Sequence, residues 1–112
     1  VSVAEVHDAT AIGEVLQSEL LGLVPMGQGG AAAERGETTI GGRIPINPSG
    51  GLECKGHPIG ATGLAQVFEL VTQLRGEAGA RQVQGARIAL AENGGGLAGV
   101  EEAVACLTLL GK

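Results

Sequence analysis

Asn47 to Gly63 reads N-P-S-G-G-L-E-C-K-G-H-P-I-G-A-T-G. Five glycines, two prolines and one of the chain's two histidines fall in this run. Gly50, Gly51 and Gly56 permit backbone angles and close approaches that a Cβ forbids. Pro58 fixes φ and suits the first turn of a helix, where its missing N–H costs nothing. Next, Leu64, Val67, Phe68, Leu70, Val71 and Leu74 recur at helical spacing, which predicts a helix over Ala61 to Leu74 with a broad apolar stripe. His57 is therefore expected on a tight loop just ahead of a helix start, among unpaired N–H groups at the positive end of the dipole. That field disfavours an extra proton on the imidazole. A neutral histidine in this place is a candidate general base, although a histidine beside a Gly-rich turn also serves purely structural ends.

Upstream, Ser2 to Val6 predicts a short buried strand in which Glu5 is the polar exception. Asp8 or Thr10 can cap the helix that follows. That helix is expected over Ala11 to Leu23, with Ile12, Val15, Leu16, Leu20 and Leu23 at helical spacing and Gly22 at its fraying end. Residues 24 to 43 are Gly-rich and loop-like, with room for a helical turn or two over Ala31 to Glu37. Arg43 to Asn47 is expected to be a short strand. Downstream, Arg75 to Gln84 is a connector, Ala86 to Ala91 a buried strand, and Val100 to Leu110 a last strand. The Gly-rich segment from Ala91 to Val100 joins them as a hairpin. This order predicts an α/β layer with a mixed sheet and packed helices.

Composition narrows the classes further. The chain has 112 residues, enough for one domain with a modest core. Phe68 is its only aromatic residue, so the core must be aliphatic. The formal charge is −5 and the few basic residues are scattered, which argues against nucleic-acid binding. No apolar run reaches the roughly 20 residues that span a bilayer. Cys54 and Cys106 show no spacing of a disulfide framework or a metal site, and a reducing, cytoplasmic setting is the default reading. Cys54 is expected to be a small buried residue and Cys106 to lie in the core. The chain opens on Val1 in a strand without a Met, which suggests a piece of a larger protein or a trimmed chain.

The order Asn47-x-x-Gly50-Gly51, Gly56-His57-Pro58, Gly60-x-Thr62-Gly63 closely resembles the C-terminal signature of the thiolase superfamily. It is most similar to the sterol-carrier-protein branch, whose version reads N-P-S-G-G-L-x-x-K-G-H-P-x-G-A-T-G. Glu53 and Cys54 depart from the broader pattern without touching the G-H-P core. His7-Asp8-Ala9-Thr10 resembles the H-D-A-F of the same branch, with Thr10 in place of Phe, which changes the pocket. The turn Glu92-Asn93-Gly94-Gly95-Gly96 stands where ordinary thiolases carry C-x-G.

The resemblance implies roles for these residues. His57 would take the proton of a nucleophilic thiol, and His7 would orient a water or an oxyanion hole for a thioester oxygen. Glu92 would stand in for a cysteine that shuttles a proton at the α-carbon. Gly50, Gly51, Gly56, Gly94 and Gly95 would let a coenzyme A thioester approach, as substrate rather than covalent cofactor. Arg35 and Arg43 are further candidates for its phosphates, with solvated surface positions as the plainer reading. The nucleophilic cysteine of the family comes from an N-terminal half that this sequence lacks, so the chain alone should be inert.

Three readings stand. The first is the C-terminal part of a thiolase-like acyltransferase that cleaves 3-ketoacyl-CoA. The second, favoured by Glu92 in the cysteine's place, is a thiolase-like aldolase that cleaves a β-hydroxyacyl-CoA of the steroid side-chain type. The third is a non-catalytic partner, against which the intact G-H-P argues. A piece of this kind is expected to expose apolar faces and to need a partner half or a second copy in a homo-oligomer.

Overall fold

Val3–Glu5 forms β1 and is buried on both faces. The computed structural model describes residues 1–99 and 102–112, so the predicted last strand begins in part outside the described residues. Ile88–Gly95 (β2) lies parallel to β1, with Ala4 opposite Leu90. Val104–Gly111 (β3) runs antiparallel to β2, with Glu92 opposite Leu107. The mixed sheet has the order β1-β2-β3. Alternation along the strands divides the core in two. Ala4, Val6 and Leu90 pack with Leu23, Val24, Ala32, Ile44 and Ile46. Val3, Ala89 and Ala91 pack on the other side with Leu70, Leu74, Val83 and Ala86. Both clusters are aliphatic, as the composition requires.

Among the described residues four α-helices accompany the sheet: α1 (Ala11–Leu20), α2 (Gly29–Glu34), α3 (Gly51–Lys55) and α4 (Thr62–Arg75). Thr10 caps α1 by accepting the N–H of Gly13 at 3.1 Å. The Glu19 carboxylate accepts the N–H groups of Gly27 and Gly29 and so fixes the start of α2. Gly76, at φ 78°, ends α4 in the left-handed region that glycine favours. No helix among the described residues is long and apolar enough to cross a membrane.

The structure corrects several expectations. Arg43–Asn47 is not a strand: Ile46 makes one isolated bridge to Ala4. Asn47 leaves the extended path at φ 50°, and its side chain spends its hydrogen bonds on the N–H of Val6 and the carboxylate of Glu14. Helix α3 arises inside the run that reads as loop, where one distant and one neighbouring side chain cap it. Asp8 accepts the N–H of Leu52 at 2.7 Å, and Ser49 accepts that of Gly51. Cys54 and Cys106 are both exposed rather than buried.

The largest correction concerns which helix face is inside. On α4, Leu70 and Leu74 are buried, but Leu64 is 75% exposed and Phe68 72% exposed. Thr62, Gln66, Glu69 and Gln73 face inward instead. Their polar atoms are satisfied there. Gln66 donates to the Glu92 carbonyl at 2.7 Å, Gln73 accepts from Val83 N–H at 2.7 Å, and Glu69 pairs with Arg81 at 2.9 Å. The stripe of α1 points outward too, at Ile12, Leu16 and Leu20, as do Val104, Leu107 and Leu109 of β3. Between α4 and the sheet, Ile59, Leu64, Val67 and Cys106 help to line an open groove of about 370 Å³.

Candidate active site

The fold brings three distant segments together beyond the carboxyl end of β1. His7 follows β1, Glu92 lies in β2, and His57 sits on the turn between α3 and α4. The imidazoles of His7 and His57 meet edge to face, with ring centroids 4.8 Å apart and planes at 83°. The carboxylate of Glu92 accepts the backbone N–H of His7 at 2.9 Å. The three are joined through His7, whose ring meets His57 and whose backbone N–H meets the Glu92 carboxylate. His57 is exposed and His7 half-buried, so the cluster opens at the surface of this chain.

Each member is held by its neighbours. Helix α3 delivers the chain to Gly56, whose φ of 86° turns it sharply into His57-Pro58. The His57 Nδ1 lies 2.7 Å from the Thr62 hydroxyl oxygen, in the first turn of α4. Gln17 donates to the His7 carbonyl at 3.0 Å. Gln66 ties α4 to β2 at the carbonyl of Glu92 and accepts from the Asn93 side chain at 3.0 Å.

Glu92 is 3% exposed, and one of its carboxylate oxygens finds no hydrogen-bond partner among the described residues; the same holds for the buried Nδ1 of His7. Burial pushes the Glu92 carboxyl above its ordinary value of 4.5; the His7 N–H pulls it back, and the nearby Glu102 carboxylate pushes it up again. A carboxyl so placed can carry a proton nearer to neutral pH than a free glutamate does.

Glu5 and Glu14 are shifted the same way, chiefly by burial. From the ordinary value of 4.5 up to each raised value, the folded state holds more protons than the unfolded chain. Stability must therefore fall as pH rises through that window, and the full contribution is present below it. The melting temperature is expected to decline from pH 4.5 towards neutrality, and less steeply in Glu92→Gln, whose amide does not titrate. A melting temperature that climbs over this range would contradict the assignment.

The five candidate glycines divide into two kinds. Gly51 is at φ 63°, and a Cβ there would run into the Asp8 carboxylate that caps α3. Gly94 likewise leaves no room beside Glu102. Their identity thus has a cause within the chain. Gly50, at φ 94°, packs closely on Cys54, whereas Gly56 and Gly95 face open space. Gly51→Ala is expected to lower stability by about 3 kcal/mol, through left-handed strain and a displaced cap together. A denaturant midpoint that stays put would show that the loop relaxes freely. Arg35 and Arg43 both pair with Glu37 on the surface, at 2.8 and 3.2 Å.

Several supporting residues carry no role in the sequence reading. Glu5, fully buried, accepts from the backbone and hydroxyl of Ser49 and pairs with Lys55 at 3.5 Å. Lys55 also donates to Ser49. Glu5 and Asp8 therefore weld β1 to the loop that presents His57. A charged residue interrupting an apolar strand was the available signal.

Comparison with known proteins places this geometry. Residues 1–108 match the family described as thiolase C-terminal domain-like. The chain is 61% identical over 93 residues to sterol carrier protein 2 of Rattus norvegicus, covering 83% of this chain and 17% of that protein. It is 56% identical over 99 residues to acetyl-CoA acetyltransferase of Methanothermobacter thermautotrophicus, covering 88% of this chain and 26% of that protein. With benzoylsuccinyl-CoA thiolase subunit BbsB of Thauera aromatica the identity is 43% over 84 residues, covering 75% of this chain and 22% of that protein. The chain thus spans about a quarter or less of the length of these relatives.

Proposed function

Since the chain belongs to the thiolase C-terminal domain-like family, we propose that it supplies the general base and oxyanion-binding groups of a thiolase-like acyl-CoA enzyme. The observation that carries this reading is the contact between His7 and His57, with Glu92 hydrogen-bonded to the first of them. In thiolysis of a 3-ketoacyl-CoA, His57 takes the proton of a cysteine thiol contributed by another segment. The thiolate attacks the ketone carbon, and His7 N–H stabilises the oxygen on which charge develops. The bond between the α- and β-carbons then breaks, and the acetyl-CoA enolate takes a proton from Glu92. The thiol of CoA displaces the cysteine from the acyl-enzyme to give the shortened acyl-CoA. A coenzyme A thioester is the substrate. The partner is an N-terminal thiolase half, packed on the outward apolar faces of α1, α4 and β3. A homo-oligomer and a reducing, cytoplasmic setting belong to the same proposal, and the two free cysteines are compatible with that setting.

A second reading is favoured by Glu92 itself, a buried carboxyl where the resembled signature has a thiol. In a retro-aldol cleavage of a β-hydroxyacyl-CoA, a base takes the hydroxyl proton and the bond between the α- and β-carbons breaks. A carbonyl product leaves, and the enolate is held by the oxyanion groups until it is reprotonated. The full-length protein tests both. Acetyl-CoA and shortened acyl-CoA on adding CoA to a 3-ketoacyl-CoA support the first. Aldehyde or ketone released from a β-hydroxyacyl-CoA without added CoA supports the second. Neither product from a folded protein would leave only a non-catalytic partner.

A further inference from the structure

We infer that Thr62 is a positioning residue that decides which nitrogen of His57 is basic, an inference that rests on reading His57 as the base. Thr62 is buried at the first residue of α4, so its hydroxyl must find its partners within the protein. Two stand within reach: the Nδ1 of His57 at 2.7 Å and the carbonyl of Pro58 at 3.2 Å. The hydroxyl has one proton and two lone pairs. With that proton turned to Pro58, the oxygen accepts from Nδ1–H, and the lone pair of His57 lies on Nε2. The chain of bonds then runs from Nδ1–H to the hydroxyl and on to the carbonyl.

Only this arrangement survives the proton transfer unchanged. When Nε2 takes a proton, both ring nitrogens carry hydrogen, and the partner of Nδ1 has to be an acceptor. A hydroxyl already aimed at Pro58 is an acceptor before and after, so nothing reorganises as charge forms. The reverse arrangement, with the hydroxyl donating to Nδ1, would put hydrogen on Nε2 and remove the base. His7 does not make this choice, because the two rings meet edge to face and no hydrogen bond joins them among the described residues. Helix α4 thus does more than end the loop: its first side chain sets the chemical state of the imidazole.

The test uses the full-length protein labelled with ¹⁵N at histidine and measures the ring tautomer by two-bond ¹⁵N–¹H correlation. His57 is expected with hydrogen on Nδ1 in the wild type and in Thr62→Ser, which keeps the hydroxyl. Thr62→Val keeps the shape without the hydroxyl, and there the tautomers are expected to mix. In the assay that the full-length protein supports, Thr62→Val should lower kcat about tenfold, with KM nearly unchanged and Thr62→Ser close to wild type. Hydrogen on Nε2 in the wild type, or an unaltered spectrum in Thr62→Val, would overturn the inference. Expected spectra without any response of activity would leave the tautomer assignment standing and reject His57 as the base.

Discussion

Replacing His57 by Gln in the full-length protein is expected to lower turnover about a thousandfold with the fold intact. Glutamine keeps a polar side chain on the turn between α3 and α4 but cannot take a proton. General base catalysis contributes about 10²–10⁴-fold, and loss of the base removes most of that. His57 is exposed, so the substitution leaves no cavity and strands no buried polar group other than the Thr62 hydroxyl, which retains Pro58. The measurement is kcat for thioester cleavage or carbonyl release, beside a melting curve that verifies folding. His7→Ala should act differently, because in the proposed mechanism His7 stabilises charge rather than moving a proton. Turnover within threefold of wild type in folded His57→Gln would remove the catalytic reading of the cluster, whichever reaction the protein performs.

The second large effect depends on context. Phe68→Ala is expected to cost about 3–5 kcal/mol in a longer protein whose remaining segments cover α4, the usual cost of emptying a core phenylalanine site. In the 112-residue chain alone the same change should cost no more than about 0.5 kcal/mol, because Phe68 is already 72% exposed. Denaturant unfolding of both forms reads the difference. Leu64, one turn away on the same outward face, should behave in parallel. Equal costs in the two forms would mean that nothing covers this face, and that the proposed partner half docks elsewhere. Light scattering gives an independent reading: the chain alone should self-associate through Leu64, Phe68, Leu107 and Leu109. A sharp monomer with a normal melting transition would count against it.

Much of this was legible in the residues. The glycine spacing around His57 and the helix behind it are local matters, settled by backbone angles and by helical periodicity. Of the sheet, β1 and the apolar stretches of β2 and β3 were legible. But Arg43 to Asn47, read as a strand, makes only one bridge, and Glu92 to Gly95, read as a turn, continues β2 because the ladder to β3 runs on through it. The directions of faces were not. Leu64 and Phe68 have the spacing of a core stripe, and so do Ile12, Leu16 and Leu20. Periodicity reports that a face is apolar but not which surface will cover it. On α4 the inward face is a mixed one of Leu70, Leu74 and four polar residues, and the hydrogen bonds of Gln66, Glu69 and Gln73 reach β2 and the segment of Arg81 and Val83. Such bonds span many residues in sequence and leave no periodic trace. Helix α3 is hidden for a similar reason, since one of its caps comes from Asp8, 44 residues away, while Ser49 beside it reads equally well as a turn residue.

From its residues alone this chain specified an aliphatic α/β layer, a sharp turn carrying His57 and a helix behind it, because those features depend on neighbours a few positions away. Tertiary structure alone decided that His7, His57 and Glu92 come together and that Glu5 and Asp8 hold the loop in place. Those contacts depend on strand register and helix docking, which bring together atoms that no local rule relates.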